Sequence, residues 1–391
     1  MNPRNIGQFL DADGTGIIGS EECGDQIRVW IKVRDSKLVH VTHEVFGCPA
    51  AIAACSMMTV LATGMTLQQA QELTDADVAK ALGGLPEPKY HCSNLAASAL
   101  HKAIEDYIFS QENPDDTVTI TTLINNEMPT PLTSEHGLSF WIQFGGKNIL
   151  FDTGKSNALI HNADLLNIDL SQTDAVILSH GHYDHTGGLD AVLDIAPDAD
   201  IYLHPDTARI RYSCHPGKQS KDISMPRTVC EKISAQFAKN RVTYTNKART
   251  IFPNLLITGQ IPRITDYEDV GGPFYLDSQC QTADPLNDDQ ALLISTSKGL
   301  IVILGCAHAG LINTLEYAVT LKNQPIHAVI GGIHLKSASL SRLNKTCESI
   351  RKFNLQHLIP CHCTGVSAAE MLKQHFPKSY QDIQSGVRLT L

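Results

Sequence analysis

Ten residues constrain this chain more than any other stretch: Ser179-His180-Gly181-His182-Tyr183-Asp184-His185-Thr186-Gly187-Gly188. Four side chains able to ligate a metal fall within six residues, directly after the apolar run 175–178. Alternate residues of an extended segment point the same way. His180 and His182 can therefore reach one ion while the turning chain carries Asp184 and His185 towards another. Imidazole nitrogen suits zinc and similar borderline cations. Short apolar runs at 175–178, 300–304 and 328–330, each followed by Ser, Gly or His, read as buried strands of a layered α/β fold with functional loops at their carboxyl ends.

Such a site needs only part of the molecule. At 391 residues the chain is too long for one ordinary core, and two domains are expected. With 42% hydrophobic and 18% charged residues and no low-complexity tract, both should fold. A net charge of −10 works against sequence-independent binding to nucleic acid, which relies on Lys and Arg. The polar segment 1–14 has neither a secretory signal nor a transit peptide, and no apolar run approaches membrane-spanning length. A cytoplasmic protein without membrane or nucleic-acid partners is expected. Its eleven cysteines are then expected to be reduced thiols, metal ligands or core residues rather than disulfides.

In the first half, Ile27, Val29, Ile31 and Val33 alternate with Arg28, Trp30 and Lys32, the period of a half-buried strand, and a second alternating run covers 38–46. The Ala-rich stretch 50–63 reads as a helix ending at Gly64, and Thr66 with Gln69 as a capping box opening a short one. A last helix begins near Ser93, with Ala96, Leu100, Ala103, Ile104, Tyr107 and Ile108 on one face. The polar segment 111–116 contains a proline and lacks periodicity. It divides the chain into a domain over 1–110, a linker over 111–116 and a domain over 117–391. Beyond it, strands are expected at 118–124, 138–144 and 148–151.

Cys23, Cys48 and Cys92 stand where the first half changes direction, and Cys92 opens a helix, whose partial positive charge favours thiolate. Three soft thiolates with one further ligand make a plausible iron–sulfur site, whereas Cys55, inside the Ala-rich helix, reads as core. The segments Glu22-Cys23-Gly24-Asp25, Phe46-Gly47-Cys48-Pro49-Ala50-Ala51 and Leu85-Pro86-Glu87-Pro88-Lys89-Tyr90-His91-Cys92-Ser93 follow in order. From Asn2 to Tyr107 the chain resembles the U-type iron–sulfur cluster scaffolds, nearest the N-terminal domain of NifU. The resemblance implies a small antiparallel sheet with helices, an α+β fold. It further implies Cys23, Cys48 and Cys92 as cluster and sulfur-accepting thiols, Asp25 as a labile fourth ligand with His91 as its alternate, and Lys89 in the loop over the site. A transient [2Fe-2S] cluster, a cysteine desulfurase, cluster acceptor proteins and an Hsp70-type chaperone recognising 85–89 are the implied cargo and partners. Pro49 and Cys55 stand where such scaffolds commonly carry small residues, outside the implied ligand set. NifU's further cysteine-rich domains do not follow here.

The second half resembles the metallo-β-lactamase fold, an αβ/βα four-layer sandwich. Besides His-x-His-x-Asp-His, the pieces that carry the resemblance are Phe151-Asp152-Thr153-Gly154, Gly305-Cys306-Ala307-His308-Ala309-Gly310, Gly331-Gly332-Ile333-His334-Leu335 and Pro360-Cys361-His362-Cys363-Thr364-Gly365. With Asp288-Asp289-Gln290-Ala291-Leu292 they look most like the branch named for the dihydropterin/ribofuranosylaminobenzene-phosphate synthase. The implied metal ligands are His180, His182, Asp184, His185, His308 and His362, the last two each being the only histidine of its Gly/Cys-rich loop. Asp152 is implied to orient ligands. His334 is either a ligand or substrate contact or a structural residue. The family's usual bridging Asp, in a Gly-Asp-Thr loop, is missing; Cys306 stands near its place and Asp289 could contribute. Cys361 and Cys363 would face away from His362 on an extended segment and read as packing residues.

Two close cations, zinc or iron or manganese, would lower the pKa of a water between them and polarise a carbonyl or phosphoryl oxygen, with Asp184 as ligand and catalytic residue. The substrate expected is small and phosphorylated. Lys218, Lys221 and Arg227 either contact its anionic group or form an ordinary exposed face. The leading expectation is thus a [2Fe-2S] scaffold fused to a dinuclear hydrolase. The alternative is a cluster carrier or redox sensor whose lactamase-like half is only a dock. A di-iron oxidoreductase is disfavoured by the carboxylate-poor ligands.

Overall fold

The computed structural model describes residues 3–7, 12–19, 25–84, 90–112, 116–127 and 131–391. The chain divides into two compact units, 1–119 with 387–391, and 120–386.

In the first unit the alternating runs form the strands Gln26–Arg34 and Lys37–Phe46, paired antiparallel. Asp35 and Ser36 turn the chain between them, both at positive φ, as a tight two-residue hairpin requires. Ile27, Val29 and Ile31 are fully buried against Ala51, Ala54, Cys55 and Met58 of the helix Pro49–Ala62 and against Ala96, Leu100 and Ile104 of the helix Tyr90–Glu112. Cys55 is therefore core. Thr66 and Gln69 form the capping box at the head of the helix Leu67–Gln71. The last helix starts at Tyr90, earlier than its apolar face suggests, and runs through Gln111 and Glu112, where periodicity had already lapsed.

One strand, Gly14–Gly19, escapes sequence reading because its glycines break the period-2 pattern. They serve a close approach: a Cβ on Gly16 would collide with Ala99 O of the long helix. It pairs antiparallel with Gln26–Arg34 and completes a three-stranded sheet.

In the second unit one sheet runs in the order Val242–Tyr244, Asp200–Leu203, Ala175–Ile177, Lys147–Phe151, Ser139–Phe144, Thr119–Ile124. A six-stranded sheet runs Arg249–Phe252, Leu255–Ile257, Leu292–Thr296, Gly299–Leu304, Ile326–Gly332, His357–Cys361. Helices cover one face of each. Leu159, Val192, Val229 and Ile233 pack on Leu150, Val176 and Ile201 of the first sheet, and Leu311, Leu315, Cys347 and Leu372 on Leu300, Val302 and Leu358 of the second. The intervening residues Phe140, Ile142, Ile149, Ile301, Ile303 and Ile330 are fully buried too, so both faces of both sheets are covered, which explains why these strands read as continuous apolar runs. Their parallel strands share a direction, and the loops at their carboxyl ends gather 152, 180–185, 306–308, 334 and 362.

The expectation of reduced cysteines fails at one pair: Cys214 and Cys280 form a disulfide across 66 residues. Spacing gives no hint of it, because two loops meet only once the sheets are packed. No helix among the described residues is long and apolar enough to cross a membrane.

Candidate metal centres

In the first unit Cys48 is the N-cap residue of the helix Pro49–Ala62, and Cys92 lies in the first turn of Tyr90–Glu112. The partial positive charge of a helix start favours thiolate at such positions. The two Sγ atoms are 3.7 Å apart. Asp25, buried at 4% exposure, accepts the Cys48 N–H at 3.0 Å through Oδ1 and brings Oδ2 to 3.9 Å from Cys92 Sγ. A Cβ at Gly47 would stand 2.6 Å from Asp25 Oδ1, so glycine there lets the carboxylate lie against the loop. The three ligand atoms lie within 4.8 Å of one another. Cys23 and Lys89 fall outside the described residues, as does the side chain of His91.

In the second unit the imidazoles form one cluster. The ring of His180 lies 4.6 Å from that of His182, 4.2 Å from His185 and 4.8 Å from His308, centroid to centroid. Ligand atoms within 4.8 Å of one another define three groups: His180, Cys306 and His308; His185, Cys306 and His362; and His136, Asp184 and His362. His182 is in none of these groups, but its Nδ1 stands 3.0 Å from His180 Nε2.

Several rings are held from behind. Buried Asp152 takes His185 Nδ1 at 2.7 Å and accepts from Ser179 Oγ at 2.6 Å, while Ser179 Oγ is 2.9 Å from His180 Nδ1. His308 Nδ1 donates to Val270 O at 2.7 Å, and His362 Nδ1 meets Asn126 Oδ1 at 3.0 Å. Each partner is an acceptor, so each Nδ1 carries a proton, and in the neutral rings of His180, His308 and His362 the Nε2 lone pair is left to ligate. His182 Nε2 and His308 Nε2 are buried with no hydrogen-bond partner among the described residues. Buried polar atoms are rarely left so. Converging imidazole lone pairs, a thiol and a carboxylate are the donor set of a borderline divalent cation, and the residues fit one.

Charge agrees with that reading. Burial holds the His180, His182 and His308 rings well below the usual imidazole range, and His334 and His362 at about 4, so they stay neutral and able to ligate. Burial also pulls on His185, but the carboxylates of Asp152 and Asp184 outweigh it and hold the ring up at about 9. A positive charge is favoured at that spot. Burial works against ionisation of Asp184, yet His185 and His362 keep its pKa well below the usual carboxylate value.

The remaining expectations sort by contact. Asp288 accepts from Gly181 N–H and from Arg211, pinning the backbone between His180 and His182. Asp289 accepts the Ala309 N–H at 2.7 Å and belongs to none of the ligand groups; burial pushes it up to about 7. The His334 ring stands 4.4 Å from that of His308, with Nδ1 buried and without a hydrogen-bond partner among the described residues. After Cys361 the chain enters a short 3-10 turn, His362–Thr364, instead of staying extended. Cys363 Sγ therefore returns towards the site and accepts the His334 N–H at 3.3 Å. Lys221 donates to Tyr183 Oη at 2.9 Å, next to the ligand loop, whereas Arg227 pairs with Glu231 along its own exposed helix.

Sequence reading missed His136, whose Nε2 is 3.2 Å from Asp184 Oδ2, and Asn126, which supports His362. A lone histidine and a lone asparagine in loops carry no motif. It also missed Phe274, whose ring covers His182, His308 and His334 at 5.0, 5.3 and 5.8 Å.

Comparison with known proteins agrees with both halves. Residues 1–113 match the NifU-like N-terminal domain family and residues 132–229 the metallo-β-lactamase superfamily. The iron–sulfur cluster assembly scaffold protein IscU 1 of Archaeoglobus fulgidus is 52% identical over 107 residues, covering 27% of this chain and 70% of that protein. The 7,8-dihydropterin-6-methyl-4-(β-D-ribofuranosyl)-aminobenzene-5'-phosphate synthase of Methanocaldococcus jannaschii is 29% identical over 273 residues, covering 66% of this chain and 90% of that one. A crystal structure described as a metal-dependent hydrolase of the β-lactamase superfamily covers 70% of this chain and 98% of its own, at 27% identity and a TM-score of 0.59.

Proposed function

The chain belongs to the NifU/IscU-like scaffold family through its first unit and to the metallo-β-lactamase superfamily through its second, and on that premise we propose a bifunctional protein: a [2Fe-2S] assembly scaffold joined to a dinuclear metal-dependent hydrolase. The observation that carries the reading is the presence of two chemically distinct ligand clusters, one thiol-rich in the first unit and one imidazole-rich in the second. Thiolate suits iron–sulfur cargo and imidazole suits resident divalent cations.

In the scaffold, Cys23, Cys48 and Cys92 hold the cluster and Asp25 supplies the oxygen corner through which it leaves. A cysteine desulfurase provides sulfur, apo-proteins accept the product, and an Hsp70-type chaperone engages 85–89. In the hydrolase, His180, His182 and His308 would hold one cation, and Asp184, His185 and His362 the other. The pair supplies Lewis acidity when bound, acidifying water and polarising a carbonyl or phosphoryl oxygen. Asp152 keeps His185 in the ligating tautomer. Asp184 Oδ2, 3.2 Å from Nε2 of the exposed His136, would take the proton of the attacking water. Lys221 offers a cation to a small phosphorylated substrate.

Anaerobic purification of the full chain tests this. Iron and acid-labile sulfide should disappear together on Cys48→Ser. About two further metal ions per chain, and hydrolysis of a phosphoester panel, should disappear in His182→Ala/His185→Ala with sulfide unchanged. A double variant with wild-type metal content removes the hydrolase assignment.

A further inference from the structure

One atom belongs to both inner ligand groups of the second unit, and it is a sulfur. Cys306 Sγ lies within 4.8 Å of the ligand atoms of His180 and His308 on one side, and of His185 and His362 on the other. Cys306 is 3% exposed, and His180, His185 and His308 are fully buried. Its Sγ stands 3.2 Å from His185 Nε2, which is itself 3.2 Å from His362 Nε2. On one tetrahedral ion, thiolate sulfur and imidazole nitrogen would stand roughly 3.5 Å apart. Asp152 and Asn126 fix the protons of these two rings on their far nitrogens. The Nε2 atoms of His185 and His362 and the Cys306 sulfur therefore converge at distances that one cation could span.

We propose that Cys306 is the thiolate shared by the two metal positions. The proposal rests on the dinuclear reading above. On coordination the thiol proton leaves to solvent and sulfur binds both cations. A bridging carboxylate is hard and suits manganese or magnesium; a bridging thiolate is soft and selects zinc, cobalt(II) or iron(II). Asp289 joins neither ligand group, and its Oδ2 is held by the Ala309 N–H, while its Oδ1 is buried without a hydrogen-bond partner among the described residues.

The test loads metal-stripped full-length protein with cobalt(II) and reads metal content together with thiolate-to-cobalt charge-transfer absorption. Comparison of wild type with Cys306→Ser cancels bands from the thiols of the first unit. Wild type should show the additional band; Cys306→Ser should lose it and bind both ions at least about tenfold more weakly. Cys306→Asp, which keeps a ligand and guards against a folding failure, should hold two ions without the band and prefer manganese by about tenfold more than wild type does. Identical charge-transfer absorption in wild type and Cys306→Ser at equal cobalt content overturns the proposal. So does weakening of one ion only, which makes Cys306 a terminal ligand. Failure of the dinuclear reading looks different: wild type then binds no more cobalt than His182→Ala/His185→Ala.

Discussion

At the scale of single residues, both centres depend on carboxylates that act by holding something else. Asp152 is enclosed and spends its oxygens on Ser179 and His185, so it sets the tautomer and direction of rings it stands behind. Asp25 divides its oxygens between the Cys48 N–H and the neighbourhood of Cys92 Sγ. Under the proposed scaffold reading it would be a hard ligand among soft ones and so a weak corner for an iron–sulfur cluster, which would suit release of the cargo. Asp25→Ala should still assemble cluster but transfer it several-fold more slowly to an apo-ferredoxin, and keep it longer in air. Circular dichroism recovery of the acceptor measures this. Transfer at the wild-type rate would reduce Asp25 to a cap for the Cys48 N–H and favour the carrier or sensor reading.

At the scale of elements, the disulfide matters because of what it fastens. Tyr212–Ser213 pairs with Lys221–Asp222 on one side and Phe274–Tyr275 on the other, and Cys214 N–H bonds to Pro273 O at 2.9 Å. The Cys214–Cys280 bond ties this small sheet together at the edge from which Phe274 reaches the imidazoles. Two-residue strands contribute few hydrogen bonds, so the covalent link carries much of the order. Closing a loop of that length stabilises by up to about 4 kcal/mol in the chain-entropy account. Reduction, or Cys214→Ser with Cys280→Ser, should lower the thermal midpoint of the second unit and speed proteolysis between 205 and 290. Mass spectrometry of the early fragments locates the cuts. An unchanged cleavage pattern would mean that ladder and ring contacts hold the strap unaided.

At the scale of the molecule, the metal-free second unit is a store of buried titratable groups, and its stability should follow their linkage. Burial holds His327, His334 and His362 at about 4 in the folded state against an unfolded value of 6.5. Their contribution is fully present above pH 6.5 and is lost as pH falls towards 4. His185, despite its burial, is held up at about 9 by Asp152 and Asp184, so its contribution is present below pH 6.5 and lost as pH rises through 9. Burial raises Asp289 to about 7, and its contribution is lost between its unfolded value of 3.8 and that pH. His180, His182 and His308 add to the three imidazoles that lose stability on the acid side, and of the groups named only Asp289 gains there, so chelator-treated protein should be most stable near pH 6.5, falling by at least a few kcal/mol towards pH 4. Thermal unfolding across pH 4–9 checks this. Stability that rises steadily as pH falls from 6.5 to 4 would contradict neutral buried imidazoles.

The sequence by itself determined the two families, the strand-and-helix pattern around them and the segments that carry the candidate ligands. These signals are local: alternation within Gln26–Arg34, four ligands inside 180–185, and thiols beside helix starts at 48 and 92. Tertiary structure alone decided which candidate ligands meet, because those contacts span large stretches of chain. His185 meets Cys306 across 121 residues and His362 across 177, and His362 finds Asn126 across 236. Such distances close only when two sheets, each with its own register, pack face to face, and no periodicity within one segment encodes the register of another. For the same reason the Cys214–Cys280 pair, His136 beside Asp184 and the sulfur of Cys306 between two imidazole groups emerge only from the packed fold.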